Sequence, residues 1–261
     1  MLKALTTSAT GLEAQQANLD RIAHDLANVN TDGFKRGSVE FKDLMYETIK
    51  DPGAKQGASN LTPVGVQKGL GVQVGAAHKI FEQGSAKMTN NPLDMMIEGK
   101  GFLSVTKANT GEVVYTRAGA FKLDSQGRVS LSDGSLIEPP ITVPPNAQAL
   151  TIAPNGEVKV TLPEGESVLG QIQVTNFINP QGLKSAGGNY YTKTAASGAP
   201  QPGIPGENSA GTILQGALEA SNVNVANSMI DMINTQKAYE MNTKVMTTAD
   251  KMLEATTNIV R

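Results

Sequence analysis

Apolar residues fall on two long lines at the ends of the chain and alternate in short runs between them. Leu5, Leu12, Leu19 and Leu26 recur every seven residues, and Ile22 and Val29 widen the line. At 3.6 residues per turn they share one narrow strip of a helix, which is predicted to run from Leu5 to Asn28. The other end repeats the interval with Val225, Met232, Tyr239, Met246, Leu253 and Val260. That helix is predicted to start at Asn222 or Asn224, both good N-caps, and to reach Ile259, a rod of about 55 Å. Neither strip is rich enough to hold a helix alone. Gly11 costs about 1 kcal/mol relative to Ala. Gln15 and Gln16 take places where a self-sufficient coiled coil carries apolar groups, and Ser228, Thr235, Asn242, Ala249 and Thr256 flank the second strip with small or polar side chains. The helices can be covered by each other, as a hairpin within one chain, or by further copies of the chain. The thinness of the strips favours copies.

Between the helices the period changes. Asn30, Thr31, Asp32 and Gly33 carry the chemistry of a helix stop: short polar side chains that bond nearby backbone, then a residue tolerant of positive φ. Within 31–72, Phe41, Leu44, Met45 and Ile49, with Tyr46 among them, form one apolar group. Their spacing allows a short helix, but DPGAKQGASN, Asp51 to Asn60, has linker composition, so the segment reads as an extended arm. Val72, Val74, Ala76, His78 and Ile80 alternate as a strand does. From about Ser85 to Ala195, short alternating runs separated by turn residues predict an antiparallel β domain, with hairpin turns at Asp133-Gly134 and Asn155-Gly156. AASGAPQPGIPGENSAG, 195–211, reads as a return loop. The expected fold is α+β: a coiled-coil-like inner domain of N- and C-terminal helices (1–30 and 220–261), an arm (31–72) and an inserted β-rich domain (73–219).

Composition removes most chemistry. The chain of 261 residues has no Cys, hence no disulfide, thiolate nucleophile or cysteine metal site. Its 22 basic and 24 acidic residues are spread out, so neither nucleic acid nor membrane insertion is expected. The two imidazoles, His24 and His78, lie in different regions, and no His-based metal site or triad is expected. Asp94, Glu98, Asp124 and Asp133 read as turn or surface carboxylates, and Lys35 and Arg36 as solvated charges after the helix stop. No catalytic residue, cofactor or metal is assigned. An enzyme or a binding module would need a concave pocket with converging polar groups in the β domain. The N-terminus lacks the apolar core of a secretory signal, and no run of about 18 apolar residues occurs.

LDRIAHDLANVNTDGFKRG, Leu19 to Gly37, resembles the N-terminal signature of the bacterial flagellar rod and hook family. NNPLDMMIEGKGFLSV (90–105), YTRAGAFKLDSQGRV (115–129), GALEASNVNVANSMIDMI (216–233) and QKAYEMNTKVMTTADKML (236–253) continue the resemblance in order. FKDLMYETIKDPGA (41–54) is similar to the arm of the distal rod branch. His24, Asp25 and Leu103 depart from residues common in the family, off the periodic line. The resemblance implies a structural subunit whose terminal helices form a tube of identical copies around an export channel. The arm then bridges neighbours and the β domain faces outward. It further implies contacts with proximal rod and hook proteins, with surrounding ring proteins and with the flagellar export apparatus. The implied location is the periplasm-spanning rod, reached without a cleaved signal.

Overall fold

A computed structural model describes residues 2–52, 55–56, 60–61, 64–163, 165–207 and 209–259. The chain divides into two compact units. One comprises Met1–Leu26, Gly37–His78 and Asn224–Arg261, the other Ala27–Arg36 and Lys79–Val223.

The first unit holds both long helices, α1 (Leu2–Ala27) and α2 (Val225–Ile259). Asn224 caps α2, its side-chain oxygen accepting the Asn227 N–H at 3.1 Å. The helices meet along a polar seam. Asn18 Nδ2 donates to Thr235 Oγ1 at 3.0 Å, and Gly11 leaves room for Asn242, whose Nδ2 would lie 3.0 Å from a Cβ there. Seven residues down one helix match seven up the other, so the pair is antiparallel. The small residues beside the second apolar line are thus the ones that face α1.

The described residues of segment 37–79 form no helix. Gly37–Asp43 pairs with Val72–Lys79, Tyr46–Lys50 with Val66–Gly69, and Lys55–Gln56 with Asn60–Leu61. These ladders nest, so the described part of the predicted arm is a two-stranded ribbon, and strands take the place of the short helix weighed for Phe41–Ile49. Strand pairing decides it, because each residue gains a backbone partner that lies too far along the chain for a local pattern to reveal. The ribbon is bound to the helix beside it. Asp25 accepts the Gly37 N–H at 3.0 Å and Arg21 Nη1 at 3.1 Å, while Thr10 Oγ1 accepts the Val72 N–H at 3.4 Å. Lys3 pairs with Glu47 near the other end. Gly71, at φ +127°, leaves space that Thr10 fills.

The second unit is antiparallel β. Phe102–Thr106 is the central strand, flanked on one edge by Val113–Thr116 and on the other, end by end, by Leu136–Ile137 and Val174–Asn176. Alternation sorts its faces. Leu103 and Val105 enter the main core with Met95, Ile97, Val114, Phe121 and Ile172, whereas Phe102 joins Tyr115, Phe177 and Tyr191 in a separate aromatic cluster. The hairpin turns form as the sequence predicts: Gly134 and Gly156 both sit at φ +83° and close short strand pairs. The predicted return loop carries one strand, Gln201–Gly203, paired with Val174–Asn176.

Asp124 closes another turn. Its carboxylate accepts hydrogen bonds from Arg128, Ser125 and the Gln126 N–H, and these hold its pKa down at about 2 against an ordinary 3.8, Arg128 contributing most. Because the folded value is depressed, this contribution to stability is complete above about pH 4 and is lost as pH falls through about 2. A carboxyl titration by NMR should find that low midpoint. In Arg128→Ala it should move up towards the ordinary value, and an unmoved midpoint would rule Arg128 out as the cause.

Candidate assembly interface

The leucine line of α1 lies next to the hairpin seam, not in it. Leu12 follows Gly11 and Leu19 follows Asn18, so each is turned about 100° away from the position facing α2. Leu5, Leu12, Leu19 and Leu26 are accordingly half-buried, while Ile22, with Ala14, is buried. On α2, Met232, Tyr239, Met246 and Leu253 are half-buried along the hairpin and Val225 is exposed. Val260 falls outside the described residues. Both heptad lines thus border the polar seam of the hairpin and stay partly open.

A second apolar face remains on α2. Met229, Ile230, Ile233, Met241, Val245 and Met252 are all exposed. Ile230, Met241 and Met252 recur every eleven residues, three helical turns plus about 20°, a nearly straight line that a search for sevens passes over. No charged residue occupies that eleven-residue line, although Lys237 and Lys244 border it.

The turn after α1 belongs to the β unit. Asn30 is exposed and Asp32 half-buried, its carbonyl accepting Asn189 Nδ2 at 3.0 Å. Gly33 is buried at φ +74°, and a Cβ there would lie 2.7 Å from the Ala118 nitrogen, so any side chain is excluded. Its N–H donates to the Glu219 carbonyl at 2.7 Å.

Lys35 corrects the reading of it as a solvated charge. It is fully buried, and its Nζ donates to Glu219 Oε1 and to the Glu82 carbonyl, both at 2.6 Å. Glu219 also accepts the Gly84 N–H at 3.0 Å and Arg117 Nη1 at 3.2 Å. Two cations thus share one carboxylate where all three side chains are nearly sealed from water. Burial pulls the Lys35 pKa below its ordinary value, and Glu219 opposes that shift. Nothing local in KR after a turn signals this, because the partners lie 47 and 184 residues away along the chain. Asp94 differs likewise from a surface carboxylate: it is buried and accepts Thr89 Oγ1 at 2.6 Å and Asn91 Nδ2 at 3.0 Å.

The ribbon residues are open. Phe41, Tyr46 and Ile49 are exposed and Leu44 is half-buried. Among the described residues no group of three or more His, Asp or Glu is placed to hold a metal, and no helix is long and apolar enough to cross a membrane.

Residues 5–35 match the family model of flagella basal body rod proteins, 96–160 the D1 domain of flagellar hook proteins FlgE/F/G, and 214–259 the C-terminal region of flagellar basal body rod FlgEFG proteins. Among individual proteins, the flagellar basal-body rod protein FlgG of Caulobacter vibrioides is 45% identical over 262 residues, covering 99% of both chains. The chain belongs to the flagellar basal-body rod family. FlgG of Borreliella burgdorferi is 42% identical over the whole of both chains, and FlgG of Bacillus subtilis 34%. In this rod-family chain the two terminal matches contain the Gly33 turn and the apolar lines of both helices except Val260. The central match contains the core strand Phe102–Thr106 and Arg117.

Proposed function

We propose that the chain is a structural subunit that polymerises into the distal rod of the bacterial flagellum, the hollow shaft that carries torque from motor to hook, and that it catalyses no reaction. The observation that carries this reading is the apolar face of α2 left open once the intrachain hairpin has formed. Burying a Met, Ile or Val completely is worth about 1.5–3 kcal/mol. Six half-exposed ones therefore offer on the order of 5–8 kcal/mol gross, less than or comparable to the cost of immobilising a whole subunit. One neighbour is then insufficient. A subunit is held where several neighbours cover its surfaces together, which favours growth at the end of an existing tube over pairing in solution.

In this reading the helices line the tube as a coiled-coil-like inner domain, the half-open leucines of α1 adding to the contact, and the ribbon reaches neighbouring copies. The subunit crosses the export apparatus unfolded, without a cleaved signal, and takes its place in the periplasm between proximal rod and hook, inside the surrounding ring proteins. A place in the proximal rod or hook is the other reading within the family. Electron microscopy decides both points. Purified chain under polymerising conditions should form straight hollow tubes, and labelled chain in basal bodies should appear between proximal rod and hook. A chain that remains monomeric at every concentration contradicts the polymerisation, and label within the hook or at the base contradicts the distal position.

A further inference from the structure

Residues 211–222, the last stretch of the β unit before α2, run through that unit as a strap. Thr212–Gln215 pairs with Met95–Glu98 and Ala217–Glu219 with Ala86–Met88, and neither of those earlier strands pairs with any other strand among the described residues. Between the two ladders the Gly216 N–H donates to the Asp94 carbonyl at 2.8 Å. Gln215 reaches sideways, giving Nε2 to the Leu150 carbonyl at 2.9 Å and accepting the Ile152 N–H at 3.0 Å. Ile213 joins Met95 and Ile97 in the main core, and Ala217 and Leu218 are buried. Glu219 then gathers Lys35, Arg117 and the Gly84 N–H on its carboxylate and the Gly33 N–H on its carbonyl. Asn222 ends the run, its Oδ1 accepting the Arg36 N–H at 2.7 Å and its Nδ2 donating to the Ile80 carbonyl at 2.9 Å. One short stretch thus ties together the turn after α1, two early strands, Arg117 and the segment around Ile152.

We propose that this strap gates the folding of the β unit, which closes only in the step that docks residues 211–222. Without the strap, Lys35 and Arg117 are two buried cations deprived of their shared carboxylate, an arrangement that strongly destabilises a folded state. Ala86–Met88 and Met95–Glu98 then lose their strand partners, and the main core lies open where Ile213 belongs. A closed unit awaiting its strap is therefore too unstable to accumulate. The strap also comes after every other strand of the unit along the chain. For a chain that crosses an export apparatus unfolded, the part of the reading above on which this consequence rests, passage from the N-terminus keeps the β unit open until residue 222 is through. The order of the residues itself then holds the chain in a threadable state.

The test is kinetic and uses the full chain. Refolding from denaturant is followed by pulsed hydrogen exchange and mass spectrometry. Phe102–Thr106 and Val113–Thr116, the middle of the sheet, should gain protection together with 212–219. Protection of those strands while 212–219 still exchanges freely overturns the proposal. Any cooperative unit would show the same coincidence, so folding and unfolding rates supply the discriminating readout. Glu219→Gln keeps the shape of the side chain and removes its charge. It should slow folding about tenfold or more and change unfolding by less than about twofold, as a contact already made at the barrier does. An unchanged folding rate with faster unfolding places the docking of the strap after the barrier and overturns the proposal. Should Glu219→Gln not fold, Leu218→Ala is measured in the same way, and the exchange arm on the unaltered chain decides independently of both. Neither arm involves polymerisation, so failure here leaves the assembly reading standing, whereas a chain that folds in this way and never forms tubes contradicts the assembly reading alone.

Discussion

A chain carrying Ile233→Asp together with Met241→Asp will fold as a monomer and will not polymerise at concentrations where the unaltered chain does. Both residues are more than half exposed in the single chain, 51% and 62%, so the substitutions change the monomer by no more than about 0.5 kcal/mol each. In a polymer each would lose about 1 kcal/mol of apolar burial and leave a carboxylate in a dry contact at a cost of about 1–3 kcal/mol more. The sum, on the order of 4 kcal/mol or above, raises the critical concentration about a thousandfold. Sedimentation measures that threshold, and thermal melting of the monomer shows whether the fold is kept. Polymerisation at the ordinary threshold would remove this face of α2 from the interface. Leu19→Asp is a poorer probe: Leu19 is half-buried next to the hairpin seam, so that variant weakens hairpin and polymer together.

Glu219→Ala will destabilise the β unit more than Lys35→Met. The first change leaves Lys35 and Arg117, 0% and 4% exposed, as two uncompensated cations, a situation that costs about 3–5 kcal/mol. For a unit of this size the melting temperature should drop by on the order of 10 °C. Lys35→Met instead leaves Arg117 and Glu219 as a balanced pair and loses mainly hydrogen bonds, about 1–2 kcal/mol. Calorimetry on both variants measures the order, and a larger loss for Lys35→Met would show that the carboxylate is not the hub. The lowered pKa of Lys35 gives a further sign to check. Below about pH 10.5 the unfolded side chain binds its proton more readily than the folded one, so this group makes stability rise with pH from its folded pKa up to that value.

The legible parts were those whose cause is local. A seven-residue period specified both helices, Asn222 or Asn224 as the cap specified the start of α2 to within two residues, and Asp133-Gly134 and Asn155-Gly156 specified two turns, because caps and positive φ are properties of a few adjacent residues. Where the cause is distant, the pattern was silent. Phe41 to Ile49 has a spacing a helix accepts, and it became strand only because Val66–Lys79 lies beside it. Lys35 looked like any charge after a turn until Glu219 was placed against it. The exposed line Ile230, Met241 and Met252 is written in the sequence at an interval of eleven, which a seven-residue period does not reveal.

The gap at Gly11 also fixes phase. Ser228, Thr235 and Asn242 are short and polar at equal spacing, so α2 sliding along α1 by one repeat would exchange one such group for another with little change in chemistry. Asn242, however, fits where the opposing residue has no side chain; shifted by seven it would meet Ala4 or Asn18, whose own atoms occupy that volume. One notch and one key therefore suppress the sliding that an otherwise uniform repeat invites, and every copy presents its outward line at the same height.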